Sequence, residues 1–363
     1  MAVRTATPTT GWLMRGKDGR LTAYAPVEDG LLRWTETRPG GPEWSAPEHL
    51  AVPGLEPYLS ISQTPKGYVY LTGVRTRTTD DGRTITEVVY ATQFQSGRAP
   101  TPWRSIGTPY GQDWDRAAKI GAPTTVVDGT GLWVFIRNAG GGVCGRRQDA
   151  KGVWGPWTDM KGYQLLDTLS AAATGDGRVE LLALSSEMVQ FWRQDEPGGD
   201  LRRVRNIPAK PLACSSTLAD AGDGRVVCYW RDAAESALIV HTPDPAVPAD
   251  EEQRPGPAPL GSLAAGGTGP VAVLRTPIDG QDCTVLAQRS AAGLPAVAAY
   301  PTGELPTLAG WSETGEECVG APALALDANG LIVLAALAPD GGLRVARQQP
   351  DEPGLAMGAW ARV

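Results

Sequence analysis

The chain is poor in the residues that build most active sites. It has two histidines, His49 and His241, in 363 residues. Read onto different repeats, they leave a Ser-His-Asp triad or a His-based metal site at most one histidine to use. The five cysteines, Cys144, Cys214, Cys228, Cys283 and Cys318, are an odd number without the paired spacing of a zinc site. Most stand beside apolar residues in strand-like runs, where a free thiol packs as a small hydrophobe. Cys214 and Cys228, flanking one turn, are the pair placed to join on oxidation. Gly-x-Ser-x-Gly, His-Glu-x-x-His and phosphate-cradling glycine loops are missing. The Asp-Gly pairs stand alone and cannot supply the roughly six to eight oxygens a calcium ion takes. The expectation is therefore no metal and no cofactor.

Other absences bound the partners. No apolar run approaches the roughly 18 residues of a membrane span. Residues Met1 to Thr10 lack the basic and apolar regions of a secretory leader. A cytoplasmic protein, or one exported by a non-standard route, with no membrane partner, is expected. The formal net charge is −7, and Lys and Arg are scattered. The densest basic stretch, Arg202-Arg203-Val204-Arg205, alternates around a valine like an edge strand shielded by charge. It lacks the stacking aromatics of a nucleic-acid face, so no nucleic acid is expected. Helical apolar periodicity does not persist over the roughly 11 residues a helix requires.

What the chain does have is a repeat. Leu132-Trp133-Val134-Phe135-Ile136-Arg137, a glycine turn, Val143 to Gln148, and Gly152-Val153-Trp154-Gly155-Pro156-Trp157 read as strand, turn, strand, turn, strand. Weaker copies run from Arg20 to Ser45 and from Leu331 to Val363. Trp44, Trp103, Trp157, Trp311 and Trp360 mark the last strand of each visible unit, at intervals of 59, 54, 154 and 49 residues. The long interval is about three units, which makes seven in all. A second count agrees. Seven polar turns ending in glycine (Lys17-Asp18-Gly19, Pro65-Lys66-Gly67, Gly129-Thr130-Gly131, Asp176-Gly177, Asp223-Gly224, Asp279-Gly280 and Asn329-Gly330) each precede a β-run. Such pairs are strong hairpin signals because they supply a positive φ.

Units of about 50 residues, each with room for four short strands, fit propeller blades. The predicted architecture is all-β: a single seven-bladed β-propeller of four-stranded antiparallel blades spanning 1–363. Its blades lie near 9–50, 55–108, 120–162, 166–207, 211–260, 268–314 and 320–363. Blade 1 should meet blade 7 by side-chain packing, unless residues before Thr10 extend and pair. The Pro-rich stretch Pro243 to Pro259, with Asp250-Glu251-Glu252, reads as a disordered insertion between strands.

The order Leu-x-Val-Phe-x-Arg, glycine turn, strand ending Arg-x-Gln, then Gly-x-Trp-Gly-Pro-Trp resembles the repeat of the bacterial seven-bladed propeller lectins that bind fucose and related sugars. Blade 3 carries the motif most fully, blades 1 and 7 less so, blades 2 and 4 in part, blades 5 and 6 poorly. The resemblance implies sugar pockets between neighbouring blades, built from aromatic and polar side chains. On blade 3 the matching residues are Arg137, Arg147, Gln148, Trp154 and Trp157, with Trp133 alongside.

Composition points the same way. Twelve Trp stand against three Phe, and a Trp ring with a polar rim suits the apolar face of a sugar. The recurring Trp column reads first as blade packing. Trp34, Trp133, Trp154, Trp192 and Trp230 read as outside it, which makes Trp154 the better ligand anchor. The expected function is a non-catalytic, lectin-like protein binding a glycan or similar small ligand between blades. Two alternatives stay open: an enzyme of small-molecule (secondary) metabolism with one pocket at the propeller channel, and a protein-interaction scaffold. For the enzyme, Glu87, Asp167, Glu180 and Asp282 are candidate acid–base groups if they face a pocket.

Overall fold

The computed structural model describes residues 9–222, 224–243, 258–259, 266–304 and 310–363. Of the Pro-rich stretch, residues 244–257 lie outside them, with Asp250-Glu251-Glu252. The fold is all-β, a seven-bladed β-propeller: seven four-stranded antiparallel sheets, each built from four strands consecutive in the chain. The blades span residues 13–51, 60–107, 124–161, 165–208, 217–259, 267–313 and 319–362. Among the described residues the one helix is Trp114–Ala117, capped by the Asp113 carboxylate, which accepts from the Arg116 N–H at 3.1 Å.

Each glycine-terminated turn joins the first and second strands of its blade. Six of the seven terminal glycines have a positive φ: 81° at Gly19, 80° at Gly67, 87° at Gly177, 69° at Gly224, 79° at Gly280 and 78° at Gly330. Gly131 of blade 3 is the exception. A Cβ there would collide with the Gln148 carbonyl on the neighbouring strand, so glycine is required for close approach rather than for φ.

A second repeated device ends the third strand. In blade 1 the Glu36 carboxylate accepts the Leu21 N–H at 2.8 Å, and in blade 4 the Gln194 carbonyl accepts the Val179 N–H at 2.7 Å. In blade 7 the Gln348 carbonyl accepts the Ile332 N–H at 3.3 Å. Each of these N–H groups belongs to the first residue of a second strand. The amides of Gln148 and Gln194 also hold the following loop, donating to the Gly152 and Gly199 carbonyls at 3.0 and 2.7 Å.

This device aligns the blades and revises the tryptophan register. Glu36, Gln148 and Gln348 bridge to Trp44, Trp154 and Met357 respectively. Trp44 therefore shares the register of Trp154, three residues before that of Trp157. The column immediately preceding a fourth strand is Trp103, Trp157, Trp311 and Trp360. Trp154 is thus not singular, and neither are Trp34 and Trp192. Both stand two residues before the clamp, opposite Ala23 and Leu181. Spacing in sequence missed this because loop lengths between the third and fourth strands differ from blade to blade.

The chain packs as two compact units. One holds residues 1–71, 91–103 and 261–363, and the other residues 72–90 and 104–260. In the first unit, Trp12, Leu21, Ala23 and Trp34 of blade 1 pack on Ala323, Val333, Ala335 and Val345 of blade 7. Blades 1 and 7 each complete their own sheet, and side chains join them. The Trp12 indole donates to the Ala321 carbonyl at 3.0 Å, and Arg15 donates to the Asp327 carbonyl at 2.9 Å. The Arg347 guanidinium meets Asp327 at 2.6 Å and also pairs with Glu36.

In the second unit, the second strand of blade 4, Val179–Ser185, is buried along its whole length. Its alternating side chains face two neighbours, as strand periodicity requires. Val179, Leu181 and Ala183 pack with Trp133, Phe135 and Val143 of blade 3. Leu182 and Leu184 pack with Val226, Cys228 and Trp230 of blade 5.

Candidate binding site

Within the second unit, three aromatic rings and an arginine meet at the border of blades 2 and 3. Trp154 lies edge-on to Tyr90, with ring centroids 5.3 Å apart. The Arg146 guanidinium lies 5.7 Å from the Trp154 ring and 6.0 Å from the Trp157 ring, within cation–π range. Arg146 is fixed by backbone carbonyls: its Nε donates to Gly155 at 2.7 Å and its Nη1 donates to Ile106. Trp157 donates to the same Ile106 carbonyl at 3.2 Å. Both tryptophans are half-buried. The Trp154 N–H is buried without an acceptor among the described residues, so what this side chain offers outward is ring carbon.

The six residues singled out from sequence divide into two groups. Trp154 and Trp157 face blade 2, together with Gln148, whose amide donates to the Tyr90 hydroxyl at 3.3 Å. Trp133, Arg137 and Arg147 lie on the blade 4 side. The Trp133 indole donates to Asp128 at 3.0 Å and its ring stacks on Phe135 at 5.5 Å. Arg147 lies over Trp133 at 5.5 Å, donates to the Gly198 carbonyl of blade 4 at 2.7 Å and also reaches Thr130. Arg137 pairs with Asp167 of blade 4 at 2.8 Å. Adjacent residues of a strand point to opposite faces, so Arg146 joins the aromatic cluster while Arg147 cannot. Sequence reasoning passed over Arg146 and Tyr90. The Arg-x-Gln pattern contained Arg146, but nothing in the sequence said which arginine faced which blade.

The first unit holds a cavity of about 530 Å³ at the border of blades 7 and 1, lined among others by Pro42, Val345, Arg347, Gln348, Glu352 and Gly358. Its volume is in the range of small-molecule sites. Arg347, Gln348 and Gly358 occupy in blade 7 the repeat positions of Arg147, Gln148 and Gly155 in blade 3, since Gly358 and Gly155 donate to the Arg347 and Arg147 carbonyls in the same way.

The four carboxylates considered for acid–base work are all held by arginine. Glu180 is buried against Arg193 at 2.8 Å, Asp167 pairs with Arg137, and Asp282 pairs with Arg275 at 2.6 Å. Glu87 meets Arg75 at 2.6 Å and Arg77 at 3.4 Å. Burial pushes the Glu87 carboxyl up, but hydrogen bonds from Ser105 and Arg75 and the charges of both arginines outweigh it and hold its pKa below the ordinary value. The bond from Arg275 lowers Asp282 likewise. A general acid at neutral pH needs the opposite shift. His49 is exposed on the outer strand of blade 1, whereas His241 lies 6.4 Å from the Trp230 ring in blade 5. All five cysteines are free thiols, Cys214 and Cys228 included. Among the described residues no three His, Cys, Asp or Glu side chains converge as metal ligands. No described helix is long and apolar enough to cross a membrane.

No protein-family model matches the chain, and no curated protein matches it. Solved structures do. A Bacteroides fragilis protein assigned as a 6-phosphogluconolactonase superposes with a TM-score of 0.56 at 14% identity, covering 96% of each chain. A Hadza microbial sialidase gives 0.52 at 13% identity over 77% of this chain, which spans 63% of the sialidase's length. The SapL1 lectin, solved in complex with alpha methyl fucoside, gives 0.51 at 13% identity over 84% of this chain and 94% of the lectin. Identities this low speak for the fold alone, and at that level the chain is similar to the propeller lectins that its blade 3 motif resembles.

Proposed function

We propose that this protein is a non-catalytic, lectin-like binder that takes a glycan or similar small ligand between blades. The observation that carries the reading is the Tyr90–Arg146–Trp154–Trp157 cluster at the border of blades 2 and 3. Half-buried indoles give a sugar's C–H face a platform, and a guanidinium anchored by carbonyls serves hydroxyl oxygens without moving. The cavity at the border of blades 7 and 1 is a second place to look for a ligand, at repeat positions that in blade 3 include Arg147 on the blade 4 side. The arginine-held carboxylates weigh against an acid–base enzyme.

A glycan-array screen of the purified chain, followed by titration calorimetry on any hit, tests this. Trp154→Ala should weaken binding by about 2 kcal/mol or more, the usual cost of truncating an aromatic anchor, with little change in melting temperature. Trp157→Ala should lower the melting temperature, since it loses the bond to the Ile106 carbonyl. Absence of any saccharide binding, with equal destabilisation by both substitutions, would leave the segment a purely structural one.

A further inference from the structure

The charges around the aromatic cluster single out one class of saccharide. Acidic side chains outnumber basic ones by 40 to 33 in this chain, and Arg75, Arg77, Arg83, Arg137, Arg178, Arg193 and Arg202 of the second unit each have a carboxylate partner. Arg83 pairs with Asp81 at 2.7 Å, Arg178 with Asp176 at 2.9 Å and Arg202 with Asp195 at 2.6 Å, besides Arg75, Arg137 and Arg193 above. Arg146 has no such partner among the described residues. The two carbonyls that hold it fix its orientation without neutralising it, and its Nη2 has no acceptor there. Burial alone pulls its pKa below the ordinary arginine value, with no nearby charge contributing.

A second arginine without an ion pair among the described residues stands across from Tyr90. Arg104, exposed on the fourth strand of blade 2, is the register partner of Tyr90, so the two side chains share one face of the sheet. Arg104 is two residues from Ile106, whose carbonyl receives Arg146. It forms no ion pair among the described residues. Arg146 therefore lies over both indoles, and Arg104 shares the face of Tyr90, whose ring lies edge-on to Trp154. A neutral sugar is commonly gripped by a protein carboxylate that accepts its hydroxyl protons, because an ionised carboxyl is a strong acceptor. None belongs to this cluster. Guanidinium groups are instead matched to an anionic oxygen pair.

We propose that the border of blades 2 and 3 binds a carboxylate-bearing sugar, its ring on Trp154 and Trp157 and its carboxylate between Arg146 and Arg104. This rests on the lectin-like reading and narrows its ligand to an acidic saccharide. Arg146 is the fixed anchor, and Arg104 closes on the anion from the solvent side.

The test titrates the full chain with glucuronate, galacturonate and N-acetylneuraminate, with glucose and galactose as neutral counterparts, and with inorganic sulfate. At least one acidic sugar should bind about tenfold or more tighter than its neutral counterpart, as a charge-assisted pair requires. Arg104→Ala should erase that preference without moving the melting temperature, because the exposed Arg104 side chain makes no hydrogen bond or ion pair among the described residues. Added salt should erode the preference, as expected of an exposed charge. If neutral and acidic sugars bind equally and Trp154→Ala abolishes both, the acidic preference is wrong while the lectin reading stands. If sulfate binds as tightly as the acidic sugars, the site recognises an anion and not a sugar, and the proposal falls. If no saccharide binds and Trp154→Ala changes nothing, both readings fall together.

Discussion

At the scale of single residues, neighbouring side chains of one strand hold unlike positions. Arg146 is clasped by carbonyls among indoles, while Arg147, one residue on, is tied to blade 4 and over Trp133. Only pleat direction separates them. Glu87 offers a sharper residue-level test. Its pKa is lowered in the folded protein from an ordinary value of 4.5, so its contribution is present above that value and is lost as the pH falls through the depressed pKa. Denaturant melts of wild type and Glu87→Gln should therefore differ most at neutral pH, with wild type the more stable. The gap should close in acid below about pH 4.5. A gap that stays constant down to the lowest pH would mean that the arginine pairs do not act through the Glu87 charge. Glycine-terminated turns and the Arg-x-Gln strand ends were legible at this scale. The place of Tyr90 against Trp154 was not, because it depends on a neighbouring blade.

At the scale of elements, the second strand of blade 4 shows why a continuous apolar run here is a strand and not a helix. Its odd and even residues enter two different cores, one shared with blade 3 and one with blade 5, so both faces are buried and the one charge among them, Glu180, is paired with Arg193. Leu181, fully buried, sits in the first of these. Leu181→Ala should cost about 2–5 kcal/mol by lost transfer energy and the cavity left behind, read from urea melts. A cost below about 1 kcal/mol would show that blades 3 and 4 close over the gap. The sequence located this strand and its hairpin turn, since period and glycine are local properties. It mistook the register of Trp44, because a loop of different length shifts the tryptophan without shifting the strand.

At the scale of the molecule, the first and last blades are joined within one unit by a guanidinium shared between two carboxylates. Glu36 and Asp327 are both 0% exposed, and Arg347 of blade 7 bonds each of them as well as the Gly41 carbonyl. Removing one partner of a buried ion set strands the others, at about 3–5 kcal/mol. Arg347→Met, close in length but uncharged, should therefore lower the melting temperature far more than Arg362→Met, whose guanidinium is 71% exposed beside Glu316. Differential scanning calorimetry of the two variants checks this, and equal effects would overturn it. The pairing of blade 1 with blade 7 by side chains follows from the phase of the repeat. The particular ions that make it do not.

The sequence by itself determined what depends on near neighbours in the chain. Turn chemistry marked seven hairpins, alternation marked the strands, and the Trp-rich repeat identified propeller blades resembling those of sugar-binding proteins. Blade 3 was chosen because its motif is fullest, and an aromatic cluster does lie at its border with blade 2. Only the tertiary structure decided which face of each strand meets which neighbour. That choice put Trp133, Arg137 and Arg147 against blade 4 and put Arg146 with Trp154, Trp157 and Tyr90. Among the described residues it also left Arg104 and Arg146 without an ion pair. A strand's period tells that adjacent residues diverge. Which of them reaches a given pocket is set by the packing of blades that are distant in sequence, and no local pattern encodes it.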